Sequence, residues 1–159
     1  MKQYLDILID SLVKKEDILT KLIDLNEKQK QLIDADVFDG DAFDDVSEQK
    51  GEWIDKLDSL DDGFETVFER VSDGLSTEDG KKQYRNEIIR MQDLIQSITD
   101  KSMQIQRGEE SNKQALERYF HNQRDQIKSG RVGTKAALNY YRNMKNTNVS
   151  LPHFLDSKN

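Results

Sequence analysis

The acid-rich stretch from Asp34 to Asp45 is the first place in this 159-residue chain where side chains of one type crowd closely enough to do chemistry. The chemistry would be cation binding. An EF-hand loop needs acids at positions 1, 3 and 5, glycine at 6 and glutamate at 12. With Gly40 in sixth place, Ala35, Val37 and Val46 fall on the first, third and twelfth positions, and the pattern fails. With Gly63 there, Asp58, Asp62 and Glu69 fall correctly, but Leu60 takes the third position inside a strong helical pattern. A di-metal carboxylate bundle would need Glu-x-x-His on facing helices. Neither His121 nor His153 has that glutamate, and Arg118 stands in its place before His121. There is no cysteine for a thiolate site or a disulfide, no G-x-S-x-G and no P-loop. The expectation is a solvated acidic turn, with no metal, no cofactor and no enzymatic activity.

What must position any functional residue is a set of long helices. Steps of three and four from Phe43 give Phe43, Val46, Lys50, Trp53, Leu57, Leu60, Phe64, Val67 and Val71, apolar at eight of nine places. A 3-4 repeat keeps one narrow seam against a partner helix, as in coiled coils. Trp53 sits mid-seam and reads as a large buried side chain. Lys50 reads as a lysine whose stem lies along the seam while its ammonium reaches water. The first helix, from about Lys2 to Asp34, carries Leu5, Leu8, Leu12, Leu19, Leu22 and Ile33 on a similar register. Lys15, Asn26 and Gln29 interrupt it, and packing over Asn26–Gln31, polar on nearly every side, reads as weaker.

Gly40 and Asp41 read as the turn and N-cap of the second helix, and Asp73-Gly74 as its stop. After Ser76-Thr77-Glu78-Asp79 a third helix runs toward Gly130 on the register Tyr84, Ile88, Met91, Ile95, Ile98, Ser102, Ile105, Glu109, Asn112, Leu116 and Tyr119. The register turns polar near Gly108, which is a candidate kink. Glu109 and Asn112 read as exposed or partly exposed. The predicted fold is therefore all-α: an elongated antiparallel three-helix coiled-coil bundle over 1–130, with helices at about 2–34, 41–73 and 77–129. A short amphipathic helix and tail follow over 131–159.

Composition agrees with a thin helical protein. Apolar and charged residues each make up 35% of the chain, and the mean hydropathy is −0.87. A compact globule needs more apolar side chains, and a disordered chain would lack these stripes. No apolar run approaches the roughly 18 residues of a membrane span, and the amino terminus does not read as a signal peptide, so a cytoplasmic protein with no membrane insertion is expected. Residues 1–80 hold 9 basic and 23 acidic side chains, and residues 81–159 hold 15 and 8. Acidic helices beside a basic one explain that division, and the absence of clustered Arg with interleaved aromatics speaks against nucleic acid.

The last thirty residues differ in kind. Leu138, Tyr140, Tyr141, Met144, Phe154 and Leu155 are too many apolar side chains for a solvating tail and too few for a core of their own. Either they pad the end of the third helix or they contact a partner directly, tyrosine and methionine serving as adaptable anchors. They are the candidate partner-binding residues.

The run from Glu48 to Glu65, with Lys50 before an apolar pair and then Leu60-Asp61-Asp62-Gly63-Phe64, resembles the middle of FlgN-like flagellar export chaperones. The long third helix, the Tyr140-Tyr141 patch and the ending Pro152-His153-Phe154-Leu155-Asp156-Ser157-Lys158 are similar to that family as well. The resemblance implies a bacterial cytoplasmic chaperone for type III secretion. Such a protein binds hook-associated, hook–filament junction subunits, keeps them export-competent and delivers them to the export gate, with no cofactor and no catalysis. The competing expectation is a coiled-coil scaffold or adaptor that self-associates or sequesters a regulatory partner.

Overall fold

From Lys2 to Asp34 the sequence has neither proline nor glycine, and nothing in it opposes an unbroken helix. A computed structural model, which describes residues 1–123, places there a 33-residue helix, α1 (Lys2–Asp34). It is followed by α2 (Gly40–Ser76), the short α3 (Glu78–Gln83) and α4 (Arg85–Asn122). Helix accounts for 93% of the described residues, and no strand occurs among them. The fold is an all-α helical bundle.

Asp39 starts α2. Its carboxylate accepts the Ala42 N–H at 3.0 Å and its carbonyl accepts the Phe43 N–H at 3.1 Å, so the cap falls two residues before the expected Asp41. Gly74 does not stop the helix, which runs on to Ser76. Its bare Cα is instead covered by the Met1 side chain. Thr77 caps α3 by accepting the Gly80 N–H at 3.0 Å. Gly80 is buried, and a Cβ there would run into the carbonyl oxygen of Gly74. That close backbone approach coincides with a break at Tyr84, whose φ of −110° and ψ of 28° separate α3 from α4. Helix α4 itself is unbroken through Gly108, so the expected kink is absent there.

The described residues form two compact units. One comprises Met1–Thr20 and Asp55–Ser102. Its core is Leu5, Leu8, Leu12, Ile18 and Leu19 of α1, Leu57, Phe64 and Val71 of α2, and Met91, Leu94 and Ile98 of α4, all buried. Each such side chain contributes about 1.5–3 kcal/mol relative to exposure. Direction follows from the polar contacts. Met1 lies against Gly74 and Lys15 Nζ reaches Asp61 at 2.6 Å, so α2 runs antiparallel to α1. Lys2 approaches Glu87 at 3.9 Å and Lys101 donates to Thr20 at 2.9 Å, so α4 runs parallel to α1. Burial pushes the Asp61 carboxyl above its ordinary range, and the Lys15 ammonium pulls it back.

The other unit comprises Lys21–Ile54 and 103–123. Its core holds Leu22, Leu25 and Ile33 of α1, Phe38 of the turn, Phe43, Val46 and Ile54 of α2, and Ile105 and Leu116 of α4. Here too α2 opposes α1, Lys21 lying over Trp53 and Gln29 donating to Ser47 at 2.9 Å, and α4 follows α1, Asn26 donating to the Ile105 carbonyl and Ile33 clustering with Leu116.

Candidate partner-binding surface

The second unit carries a polar layer across its core. Lys50 is fully buried, donates to Gln29 Oε1 at 2.8 Å and forms an ion pair with Glu109, whose side chain is 15% exposed. Gln29 Nε2 donates to Ser47 Oγ, and Ser47 Oγ in turn donates to the Phe43 carbonyl at 3.1 Å. Asn112 Nδ2 donates to the Asn26 carbonyl, and Asn26 Nδ2 to the Ile105 carbonyl at 3.4 Å. Two expectations are corrected. The Lys50 ammonium does not reach water, because a carboxylate and an amide meet it inside the bundle. Asn112 is buried, not exposed, since α4 lies beside α1 along this stretch. Burial lowers the Lys50 pKa from its ordinary value, and Glu109 opposes the shift.

Toward the α1–α2 turn the layer gives way to an aromatic cluster. Ile33, Phe38, Phe43 and Leu116 are buried, with Leu32, Ala115, Tyr119 and Phe120 packed against them. The Phe38 ring lies 4.9 Å from that of Tyr119 and 5.7 Å from that of Phe43, both tilted. Val37, beside Phe38 in the turn, is 82% exposed. Trp53 is only half-buried, with Lys21 Nζ 4.2 Å from its ring centroid. The seam at that point is therefore closed by a cation over an aromatic face and not by a sealed indole.

Asp44, at the start of α2, has a carboxyl oxygen shut off from solvent. Its pKa is pushed up to about 6 by burial first, then by Asp41, Asp45 and Glu48. No group of three or more His, Cys, Asp or Glu side chains among the described residues is arranged to hold a metal ion. In the first unit Met1, Tyr4 and Ile7 of the amino-terminal segment and Ile89 of α4 are exposed apolar side chains. None of these features assembles a reaction centre. They offer apolar and aromatic anchors of the kind used in protein recognition.

Leu138, Tyr140, Tyr141, Met144, Phe154 and Leu155 lie outside the described residues. The aromatic cluster and the polar layer escaped the sequence reading. The usable signal was the register itself, which set Glu109 and Asn112 in line with Ile105 and Leu116. No helix among the described residues is long and apolar enough to cross a membrane. A family model described as FlgN protein matches residues 1–147. No curated protein and no solved structure matches the chain.

Proposed function

Because this chain belongs to the FlgN family, whose members are flagellar export chaperones, we propose that it binds hook-associated proteins of the hook–filament junction. It holds them export-competent in the cytoplasm for type III secretion and presents them to the export gate. The match over residues 1–147 is the observation that carries the reading. The helical bundle agrees with it, since long packed helices supply surface and little enclosed volume. The work is binding, without catalysis or cofactor.

The client contact is assigned to Leu138, Tyr140, Tyr141, Met144, Phe154 and Leu155. The first four fall within the matched residues and the last two beyond them. A client segment that is disordered until bound would lay an amphipathic helix against these side chains and lose its conformational entropy at that step. Co-expression with hook-associated proteins, followed by co-purification, tests the client; retention of none of them at micromolar concentration rejects it. Deleting residues 131–159 tests the contact. A truncated chain that melts like the parent and loses the client supports the assignment. One that binds normally removes it, and one that unfolds returns the segment to the core.

A further inference from the structure

Between Ile105 and Leu116, α4 buries no apolar side chain: Gln106, Arg107, Glu110 and Ser111 are exposed and Ala115 is half-buried. Three turns of helix are held by the Lys50–Glu109 pair and the Asn112–Asn26 hydrogen bond. Past them, Leu116 is 1% exposed among Ile33, Phe38 and Phe43. A buried polar layer adds little net stability, because its groups recover their hydration when they separate. An apolar cluster at the far end, by contrast, must be given up whole before the helix can leave.

From this placement we infer that residues 106–122 of α4 form a latch that lifts from the α1–α2 hairpin of its unit as one piece. The Leu116 cluster is its catch and the polar layer its easily parted seam. Tyr119 and Phe120 pack on the same cluster as Leu116, so the end of the helix does not peel back residue by residue past a seated Leu116. Once Leu116 and the neighbouring Ala115 are out, no buried apolar side chain holds residues 106–114. Opening rehydrates Lys50, Glu109 and Asn112 and uncovers Ile33, Phe38 and Phe43. It is a property of the chain alone and does not depend on the identity of any client.

Amide hydrogen exchange on the full chain reads it directly. The expected result is one common protection factor over 106–122, at least about tenfold below that over 88–105, the mark of a cooperative sub-global opening. Equal protection in the two stretches overturns the inference. So does a gradient falling from 122 inward, which is ordinary end fraying. A built Cβ on Gly108 lies 3.7 Å from that of Asn26, within the range that disulfides adopt, and the chain has no other cysteine to compete. The Asn26→Cys/Gly108→Cys protein, oxidised, should raise protection over 106–122 at least about tenfold and lose that gain on reduction. The reduced form controls for the missing asparagine. The apolar pair Lys50→Met/Glu109→Leu should raise it in the same way without a crosslink. Protection unchanged in both variants overturns the latch.

Discussion

Replacing Glu109 by leucine takes the carboxylate away from the buried Lys50 ammonium, which still donates to Gln29 Oε1. Breaking a buried pair from one side costs about 3–5 kcal/mol. Lys50 is fully buried and keeps its hydrogen bond to Gln29, so Glu109→Leu should cost about 3 kcal/mol, at the lower edge of that range. The mirror change is milder. Lys50→Met leaves a carboxylate whose two oxygens are buried but whose side chain is 15% exposed, so that it can rotate toward water, and it frees the Gln29 oxygen, together about 1–2 kcal/mol. The double variant Lys50→Met/Glu109→Leu removes both charges and fills the layer with apolar volume. It should equal the parent or exceed it by about 1 kcal/mol, giving a coupling energy of about 4–6 kcal/mol. Urea unfolding followed by circular dichroism at 222 nm measures all four corners of the cycle. The sign of the pH response adds a second check. In Glu109→Leu the folded chain holds the Lys50 proton more weakly than the unfolded chain, so the unfolded state binds more protons as pH rises toward the ordinary lysine range. That variant should therefore regain stability on raising the pH. Additive single costs, or a Glu109→Leu cost below about 1 kcal/mol, would refute the reasoning, since Lys50 would then have found water.

Four further outcomes are expected. Gly80→Ala should destabilise by about 1–3 kcal/mol in thermal melts, because the new methyl meets the Gly74 carbonyl. Gly63→Ala, in the middle of α2 with nothing within 4 Å of the added carbon, should stabilise by about 0.5–1 kcal/mol. Trp53→Ala should cost less than the roughly 3–5 kcal/mol of a sealed tryptophan, since the ring is half-buried, and an equilibrium melt compares the two. Asp44, whose folded pKa of about 6 lies above its ordinary 3.8, keeps its proton to higher pH in the folded chain. Stability should therefore rise as pH falls from about 6 to 4, and Asp44→Asn should flatten that slope in urea midpoints taken across it.

The apolar register was open to reading because it depends on spacing within one helix. Leu5, Leu8, Leu12, Leu19, Leu22 and Ile33 are buried at the expected steps, and so are the three polar interruptions, Lys15, Asn26 and Gln29. Polarity alone argues for weak packing at Asn26 and Gln29. What decided otherwise were partners far along the chain: Asp61 for Lys15, Ser47 and Lys50 for Gln29, Ile105 and Asn112 for Asn26. A pattern read along one helix contains no information about which side chain the next helix will bring opposite. Trp53 shows the same limit from the apolar side, its outer face being covered by Lys21 instead of by core. The break at Tyr84 has no proline or glycine of its own. It coincides with the approach of Gly80 to the Gly74 carbonyl, a contact between backbones that no local propensity announces. The candidate client residues from Leu138 onward were chosen on composition alone.

The parallel course of α1 and α4 also sets a timetable for synthesis. Hydrogen bonds between α1 and α2 join residues 18 to 46 apart, whereas those between α1 and α4 join residues 79 to 86 apart. At translation rates of about 5–20 residues per second, Asn112 follows Asn26 out of the ribosome by roughly 4–17 s. A helical hairpin needs only microseconds. The α1–α2 pair therefore has time to form with Lys50 in water, its carboxylate partner not yet made. Helix α4 closes the core last, and it is on α4's arrival that Lys50 and Asn26 leave solvent.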